Sequence, residues 1–176
     1  MSRKLHIGGE SVSPGWEILN INPGPHVNHV CDATDLSIFD DCSFAEVYAS
    51  HILEHLDYND ELAGALAEWY RVLIPAGRLY ISVPDLDVLA RLFLLKDDFT
   101  VNERFDIMRM IFGGHVDEYD YHVVGLNEEF LGSYLATTGF TNIQKVERFN
   151  LFDDTSNMVV NDVLISLNMT AEKPGV

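Results

Sequence analysis

Three residues in the second half of the sequence could accept a proton from a substrate. Asp85 follows the apolar run "RLYISVP", and His115 and His122 lie in the polar stretch "HVDEYDYHVVG". An imidazole changes its protonation state near neutral pH, and a carboxylate placed at the end of a strand can also act as a base. His122, His115 and Asp85 are therefore the candidate catalytic residues of this sequence.

A second group of residues has side chains that could bind a metal ion. His51 and His55 stand four residues apart, a spacing that can hold zinc when both side chains share one face of a helix. Cys31 and Cys42 would complete a four-ligand set, but they are eleven residues apart, lie in different segments and form no C-x-x-C motif. We therefore expect no metal site. A metal-dependent hydrolase that uses both histidines and a cysteine is kept as an alternative.

A glycine pair lies near the start of the sequence, between two short apolar runs. In "KLHIGGESVSPGWEILNIN", Gly8-Gly9 follows the first run, and the third glycine of a G-x-G-x-x-G fingerprint is missing. No helix-length segment separates this pair from the second run. The pair by itself therefore indicates either a cofactor-binding turn or a plain turn between strands.

Composition limits the classes of protein to which the chain could belong. Its 176 residues suit one domain, and the 47% hydrophobic content is typical of a globular protein. A net charge of −17 disfavours binding to nucleic acids and to anionic membranes. The N-terminus has no apolar signal region, no apolar run is long enough for a membrane span, and two cysteines fit a reducing compartment, so we expect a cytoplasmic protein.

The hydrophobic pattern predicts an α/β domain. Four strands are expected in the first third, at 5–7, 16–22, 26–32 and 44–50, although the eight residues after Ile7 are few for a parallel crossover. Apolar residues at helical spacing predict a helix over 59–73, ended by Pro75 and Gly77, and then a buried strand over 78–85. A broken helix over 86–112, a helix after Asn127 and strands over 142–149 and 162–171 complete the chain.

Two long blocks resemble class I S-adenosylmethionine-dependent methyltransferases of the methyltransferase-11 type. They are "SFAEVYASHILEHL" and "ALAEWYRVLIPAGRLYISVPD", and the later "TTGFTNIQKVE" is similar to the Gly-Phe entry into the sixth strand of that family. The opening resembles a short-loop subgroup in which the first long helix is largely missing. The resemblance implies a Rossmann-like fold with a seven-stranded, mostly parallel mixed sheet and helices on both faces, as a single domain over 1–176.

The same resemblance implies a cofactor site for S-adenosylmethionine, with S-adenosylhomocysteine as the product. Gly8-Gly9 falls on the first motif, where the backbone approaches the methionine part of the cofactor, and glycine leaves room for it. Asp32-Ala33 falls where the family reads adenine, and Ser50-His51 follows the fourth strand at the open edge of the sheet. The implied cofactor-binding residues are Gly8, Gly9, Asn20, Ile21, Asp32, Ala33, Ser50 and His51.

Two residues depart from the family pattern and leave two functions open. Glu10 replaces a usual glycine, and Asn20 replaces the acid that accepts the ribose hydroxyls, which removes the charge-assisted part of that bond. The first hypothesis is methyl transfer to a small polar acceptor, such as an oxygen of a saccharide or natural-product intermediate, by a monomer or homodimer. The alternative is a non-catalytic module of the same fold that binds S-adenosylmethionine or S-adenosylhomocysteine.

Overall fold

The computed structural model describes residues 2–175 and contains nine strands and four α-helices. The strands are β1 Lys4–Ile7, β2 Trp16–Asn20, β3 His29–Val30, β4 Phe44–Ser50, β5 Leu73–Pro84, β6 Thr141–Val146, β7 Val159–Val160, β8 Val163–Leu164 and β9 Ser166–Glu172. The helices are α1 Glu61–Val72, α2 Leu86–Leu94, α3 Val101–Phe112 and α4 Glu128–Thr138. No helix within residues 2–175 has the length and apolar character that crossing a bilayer requires.

Seven of the strands form one mixed sheet in the order β3-β2-β1-β4-β5-β9-β6. The pairs among β3, β2, β1, β4 and β5 are parallel, and β9 runs antiparallel to both β5 and β6. β1, β4 and β5 lie at the centre, and the parts of them at 5–7, 47–49 and 79–83 are mostly buried, as expected for strands covered on both sides. The predicted seven-stranded, mostly parallel α/β sheet is confirmed.

The connection from β1 to β2 is a short irregular loop and contains no helix. Eight residues suffice because Gly8 has a φ of +75° and turns the chain immediately, with its N–H bonded to the Leu19 carbonyl at 2.7 Å. The two strands still pair in parallel, from Lys4 opposite Trp16 onwards. The predicted second strand ends two residues early, at Asn20, and the predicted third strand over 26–32 is reduced to His29–Val30 by the turn before it.

The helices follow the predicted periodicity with small differences at their ends. α1 begins at Glu61 and ends at Val72, but β5 starts at once with Leu73, so Pro75 and Gly77 lie inside a long strand. Thr100 and Glu103 form the predicted capping box that separates α3 from α2. The side chain of Asn127 caps α4 by accepting from Phe130 N–H, and Gly139 ends it in the left-handed conformation.

An aromatic layer covers the centre of one sheet face. His6, Tyr48 and Tyr80 stand side by side on β1, β4 and β5, and Phe149 and Phe152 of the segment between β6 and β7 pack on them with ring centroids 4.1–5.6 Å apart. The Tyr48 hydroxyl donates to Asp154 at 2.7 Å. No helix connects β1 to β2, and this segment covers the sheet face beside that connection. α1 and α4 pack together in the main core.

Candidate functional site

A cavity of about 1000 Å³ opens at the carboxyl ends of the parallel strands. This edge is where ligands bind in open α/β sheets, because loops with free backbone groups meet there. All eight predicted cofactor-binding residues line the cavity: Gly8, Gly9, Asn20, Ile21, Asp32, Ala33, Ser50 and His51. The wall opposite them consists of residues from two segments, 118–123 and 151–155. The volume lies at the upper end of the range for small-molecule sites and suits a cofactor together with a small partner.

The glycine pair is required by contacts inside the protein itself. A Cβ on Gly9 would lie 2.7 Å from the His6 ring, and a Cβ on Gly8 would overlap the Ile52 side chain. The positive φ of Gly8 adds a backbone reason for glycine. The buried His6 imidazole thus packs beneath the loop, and burial lowers its pKa to about 4, so the ring is neutral at physiological pH.

The side-chain amide of Asn20 connects the end of β2 to the Gly8-Gly9 loop and also caps the turn after β2. Its Nδ2 donates to the Gly9 carbonyl at 3.2 Å, and its Oδ1 accepts from the Asn22 N–H at 2.9 Å. An aspartate could not make the first of these bonds because a carboxylate has no donor. Asparagine therefore holds the glycine loop in place, and its Oδ1 keeps one lone pair for another donor.

Asp32 shapes the loop after β3 and exposes one carboxylate oxygen. Its Oδ1 accepts from both the N–H and the hydroxyl of Thr34 at 2.8 Å, which is an Asx turn, whereas Oδ2 has no protein partner within residues 2–175. The adjoining Ala33 carbonyl accepts from the indole N–H of Trp69 at 2.8 Å. The fully buried Trp69 of α1 thereby fixes a loop that the sequence associates with adenine.

A chain of hydrogen bonds orients His51 at the end of β4. Ser166 Oγ donates its only hydrogen to the Thr155 carbonyl at 2.8 Å, so it must accept from His51 Nε2, which lies 3.4 Å away. This leaves Nδ1 as the acceptor for the Ser50 hydroxyl at 3.0 Å. Burial lowers the His51 pKa to about 4, so the imidazole is neutral.

His55 and His122 form a pair beside the cavity. Their ring centroids lie 4.8 Å apart, and the pKa of each is lowered by burial. His55 lines the main cavity, and both rings line an adjoining recess of about 460 Å³. His51 and His55 do not share one face of a helix, because His51 has a φ of +55° and only a 3-10 turn over Leu53–His55 follows.

None of the three predicted catalytic residues lines the main cavity, and only His122 lines the adjoining recess. Asp85 is buried at the N-terminus of α2, where its carboxylate caps the Asp87 and Val88 N–H groups and lies 3.3 Å from Lys145 Nζ. His115 is exposed, stacks on Tyr121 at 4.0 Å and bonds the Phe112 carbonyl. Both side chains therefore have structural partners where they stand.

The cysteines do not form the metal set considered from the sequence. Cys42 precedes β4 and contacts the last turn of α1, whereas His51 follows β4. Seven strand residues span about 23 Å, so these side chains lie at opposite edges of the sheet. Cys31 lines the cavity, and both cysteines are free thiols.

Sequence reasoning missed three residues of the site. Glu54 is buried beneath His55, His6 supports the glycine loop, and Asp154 lies in the wall formed by 151–155. For Glu54, the available signal was its position as a charged residue four positions after the end of β4. Nothing in the local sequence indicates that 149–155 returns to cover β1, because this contact joins segments more than a hundred residues apart.

The cavity has a strongly acidic lining. It contains five carboxylates and no lysine or arginine among the described residues; the carboxylates belong to Glu10, Asp32, Glu118, Asp153 and Asp154. Such a lining favours a positively charged ligand and disfavours a phosphate or another anion. The chemistry of the site therefore suits a sulfonium cofactor and an acceptor without negative charge.

Comparisons with known proteins agree with this fold. A family model described as a methyltransferase domain matches residues 18–81. A methyltransferase structure from Archaeoglobus fulgidus aligns with a TM-score of 0.61 at 19% identity, over 98% of this chain and 86% of that one. The 1,6-didemethyltoxoflavin-N1-methyltransferase of Burkholderia thailandensis, bound to S-adenosylhomocysteine, aligns with a TM-score of 0.58 at 16% identity, over 98% and 72%.

Other structural matches are longer than this chain. The CurJ carbon methyltransferase aligns with a TM-score of 0.58 at 16% identity, over 99% of this chain but 49% of that one. The chain thus spans about half the length of that structure, and the likeness at this identity shows the fold. A comparison with curated proteins finds no match. Residues 18–81 thus match a methyltransferase-domain model, and the chain as a whole has the fold of these S-adenosylmethionine-dependent methyltransferase structures.

Proposed function

We propose that the chain, as a single domain, transfers a methyl group from S-adenosylmethionine to an uncharged oxygen acceptor such as a saccharide or natural-product hydroxyl. The observation that carries this proposal is the continuous acidic cavity, which joins the carboxyl ends of β1, β2 and β4 to the wall of 118–123 and 151–155. The first part fits the cofactor and the second leaves room for a small acceptor. Both neutral saccharides and neutral natural products satisfy the charge argument.

Six of the eight predicted cofactor-binding residues have a defined part in this proposal, and Ser50 and His51 line the cavity beside them. The Gly8-Gly9 backbone, held by Asn20, would face the methionine part, and the exposed Ile21 side chain offers an apolar surface to the adenosine. Asp32 Oδ2 would accept from the adenine amino group beside the Ala33 backbone. The acidic lining would favour the positive charge on the cofactor sulfur.

The chemistry requires an aligned acceptor whose proton can be removed. The cofactor, when bound, supplies an electrophilic methyl group on a positively charged sulfur. Residues of the chain must hold the acceptor oxygen in line with that group and exclude water, which the Tyr119 and Tyr121 side chains on the acceptor wall can do. Neutral His55 lines the cavity and can accept the proton on Nε2, with His122 behind it, whereas both ring nitrogens of His51 are bonded to Ser50 and Ser166.

The site geometry favours one of the three residues proposed from the sequence as proton acceptors. His122 remains a candidate through its contact with His55. His115 and Asp85 would need to leave the partners described above, so we propose supporting roles for them: His115 steadies Tyr121, and Asp85 begins α2.

A titration calorimetry experiment tests the cofactor part of the proposal. S-adenosylmethionine and S-adenosylhomocysteine are titrated into wild type, Asp32→Ala and Asp32→Asn. We expect Asp32→Ala to weaken binding about ten-fold or more, which is about 1.4 kcal/mol. Asp32→Asn keeps the Oδ1 turn cap but replaces the Oδ2 acceptor by an NH2 donor that would face the adenine amino group, so it should weaken binding at least as much as Asp32→Ala while leaving the turn intact.

The matched control is Asp35→Ala, because Asp35 caps a similar turn through the Ser37 N–H and does not line the cavity. Its affinity should equal that of wild type. Absence of binding by wild type to both ligands would contradict the proposal. Binding without methyl transfer to any member of a panel of neutral hydroxylated acceptors would favour the non-catalytic module, which the unusual Asn20 also favours.

A further inference from the structure

Three side chains outside the cofactor-binding part of the cavity have possible metal-ligating atoms close to one another. One carboxylate oxygen of Glu54 and one ring nitrogen each of His55 and His122 lie within 4.8 Å of one another. The group stands in the wall between the main cavity and the adjoining recess, because His55 lines both and the other two line the recess.

Glu54 is the least satisfied polar residue of this group. Its side chain is 1% exposed, and neither carboxylate oxygen has a hydrogen-bond partner within residues 2–175. A buried carboxylate without a partner is strongly disfavoured, and a protonated carboxyl would still leave its O–H without an acceptor. The position therefore calls for a group that supplies positive charge to these oxygens.

The His55 imidazole presents a suitable lone pair. His55 Nδ1 lies 3.2 Å from the Tyr121 carbonyl and, being neutral, donates its hydrogen there, so Nε2 carries the free lone pair. A backbone carbonyl behind an imidazole is the usual support of a metal-binding histidine. His51, by contrast, uses both ring nitrogens for Ser50 and Ser166 and is not a ligand candidate.

The backbone holds the three residues together. The Glu54 carbonyl accepts from Val123 N–H at 2.8 Å, and His122 N–H donates to the Phe112 carbonyl at 3.0 Å. The segment that carries His122 is therefore attached both to the 3-10 turn of Glu54 and His55 and to the end of α3.

We propose that Glu54, His55 and His122 form a binding site for a divalent transition-metal ion such as Zn²⁺. Two imidazoles and one carboxylate are a donor set that this ion accepts, and three protein ligands leave a coordination position open. Ligand atoms about 2.1 Å from a tetrahedral ion are roughly 3.4 Å apart, so the three atoms, which lie within 4.8 Å of one another, would have to approach by little more than about 1 Å. The sequence predicted no metal site. The site proposed here uses neither cysteine.

The open position gives the ion a part in acceptor binding. This part of the inference rests on the proposed methyl transfer. His55 borders the acceptor half of the cavity, so an acceptor hydroxyl bound there could coordinate the ion, and coordination makes a hydroxyl more acidic. The O–H bond would then break with the proton passing to water, and the oxygen would keep its electron pair for the bond to the methyl group as the carbon–sulfur bond of the cofactor breaks.

The test measures metal binding directly on untagged protein that has been treated with EDTA and then freed of the chelator. Equilibrium dialysis against Zn²⁺ gives the stoichiometry, and Co²⁺ gives a visible absorption spectrum that reports imidazole coordination. We expect one equivalent of bound metal. Glu54→Gln and His122→Asn should each weaken binding at least about ten-fold. His26→Ala, an exposed histidine in a loop, is the matched control and should leave binding unchanged.

The outcomes separate this site from the proposed function. No bound metal in wild type, or binding that neither variant weakens, would overturn the site, and if one variant fails to fold the other decides. Calorimetry with S-adenosylmethionine on the same samples gives an independent readout. Cofactor binding without metal binding would leave the proposed methyl transfer intact, and metal binding without cofactor binding would leave the metal site and remove the transferase.

Discussion

Asn20 shows how one residue can serve structure and ligand at once. Its amide bridges the Gly9 carbonyl and the Asn22 N–H, so it fixes the loop that the cofactor would approach. The sequence alone indicated only a lost charge at this position. The contacts explain why an amide is used, because a carboxylate would face the Gly9 carbonyl oxygen without a hydrogen between them.

Asn20→Asp should change affinity and stability in opposite directions. The new carboxylate would form charge-assisted bonds to the ribose hydroxyls, so we expect S-adenosylmethionine to bind about five-fold more tightly, or about 1 kcal/mol. Loss of the bond to Gly9 should lower the free energy of unfolding of the ligand-free protein by about 1 kcal/mol. Calorimetry and urea denaturation measure the two effects. An affinity that is unchanged or weaker would show that Asn20 does not face the ribose.

At the scale of elements, the positions of strands and helices followed from local patterns. Alternating burial, the Thr100–Glu103 capping box and the Asn127 cap were all readable because they depend on residues within a few positions of each other. Strand ends were less predictable. The pattern around Pro75 and Gly77 read as a helix stop, yet β5 already begins at Leu73 through pairing with Phe44 of β4.

A pair of glycine substitutions tests how elements position the site. Gly113 ends α3 with a φ of +89°, and a Cβ there would overlap the Asp120 backbone oxygen. Gly113→Ala should therefore lower the free energy of unfolding by about 1–3 kcal/mol and displace the segment that carries His122. Gly64 lies exposed inside α1 with open space around it, so Gly64→Ala should raise the free energy of unfolding by about 0.5–1 kcal/mol.

Urea denaturation of both variants measures these changes. Equal effects of the two substitutions would contradict the strain assigned to Gly113. The Gly64 variant also serves as the control for the general effect of removing a glycine from the unfolded chain.

At the scale of the whole molecule, buried titratable groups connect stability to pH. His6 and His51 have pKa values lowered to about 4, chiefly by burial, whereas burial raises the pKa of Glu54 to about 8. A histidine with a lowered pKa binds its proton first in the unfolded state, so its contribution is complete above pH 6.5 and is lost as the pH falls towards 4. Glu54 acts in the opposite direction. The folded state keeps the Glu54 proton as the pH rises from 4.5 to 8, so the contribution of Glu54 to stability is lost over that range.

The metal-free protein should therefore lose stability when the pH is lowered from 6.5 to 5. His6→Phe keeps an aromatic ring against Tyr48 and Phe152 and removes one of the imidazoles whose pKa is lowered by burial. The slope of unfolding free energy against pH should then fall by up to about 1.4 kcal/mol per pH unit between pH 6 and 5. Denaturation curves at several pH values in EDTA give both slopes. The slope is compared within each protein, so a constant packing effect of the larger ring cancels, and identical slopes would refute the assignment to His6.

Local patterns in the sequence predicted the α/β class and the order of the main elements, and the family resemblance implied the short crossover after β1 and eight of the residues that line the cavity. These features depend on hydrophobic periodicity, on turn residues and on motifs that lie within one strand and its following loop. Only the tertiary structure decided which side chains meet across the chain. It brought His122 to Glu54 and His55 while leaving Asp85 as a helix cap, and it laid Phe152 over His6. Such contacts join segments tens to more than a hundred residues apart, so packing of the whole core sets them and no local pattern records them.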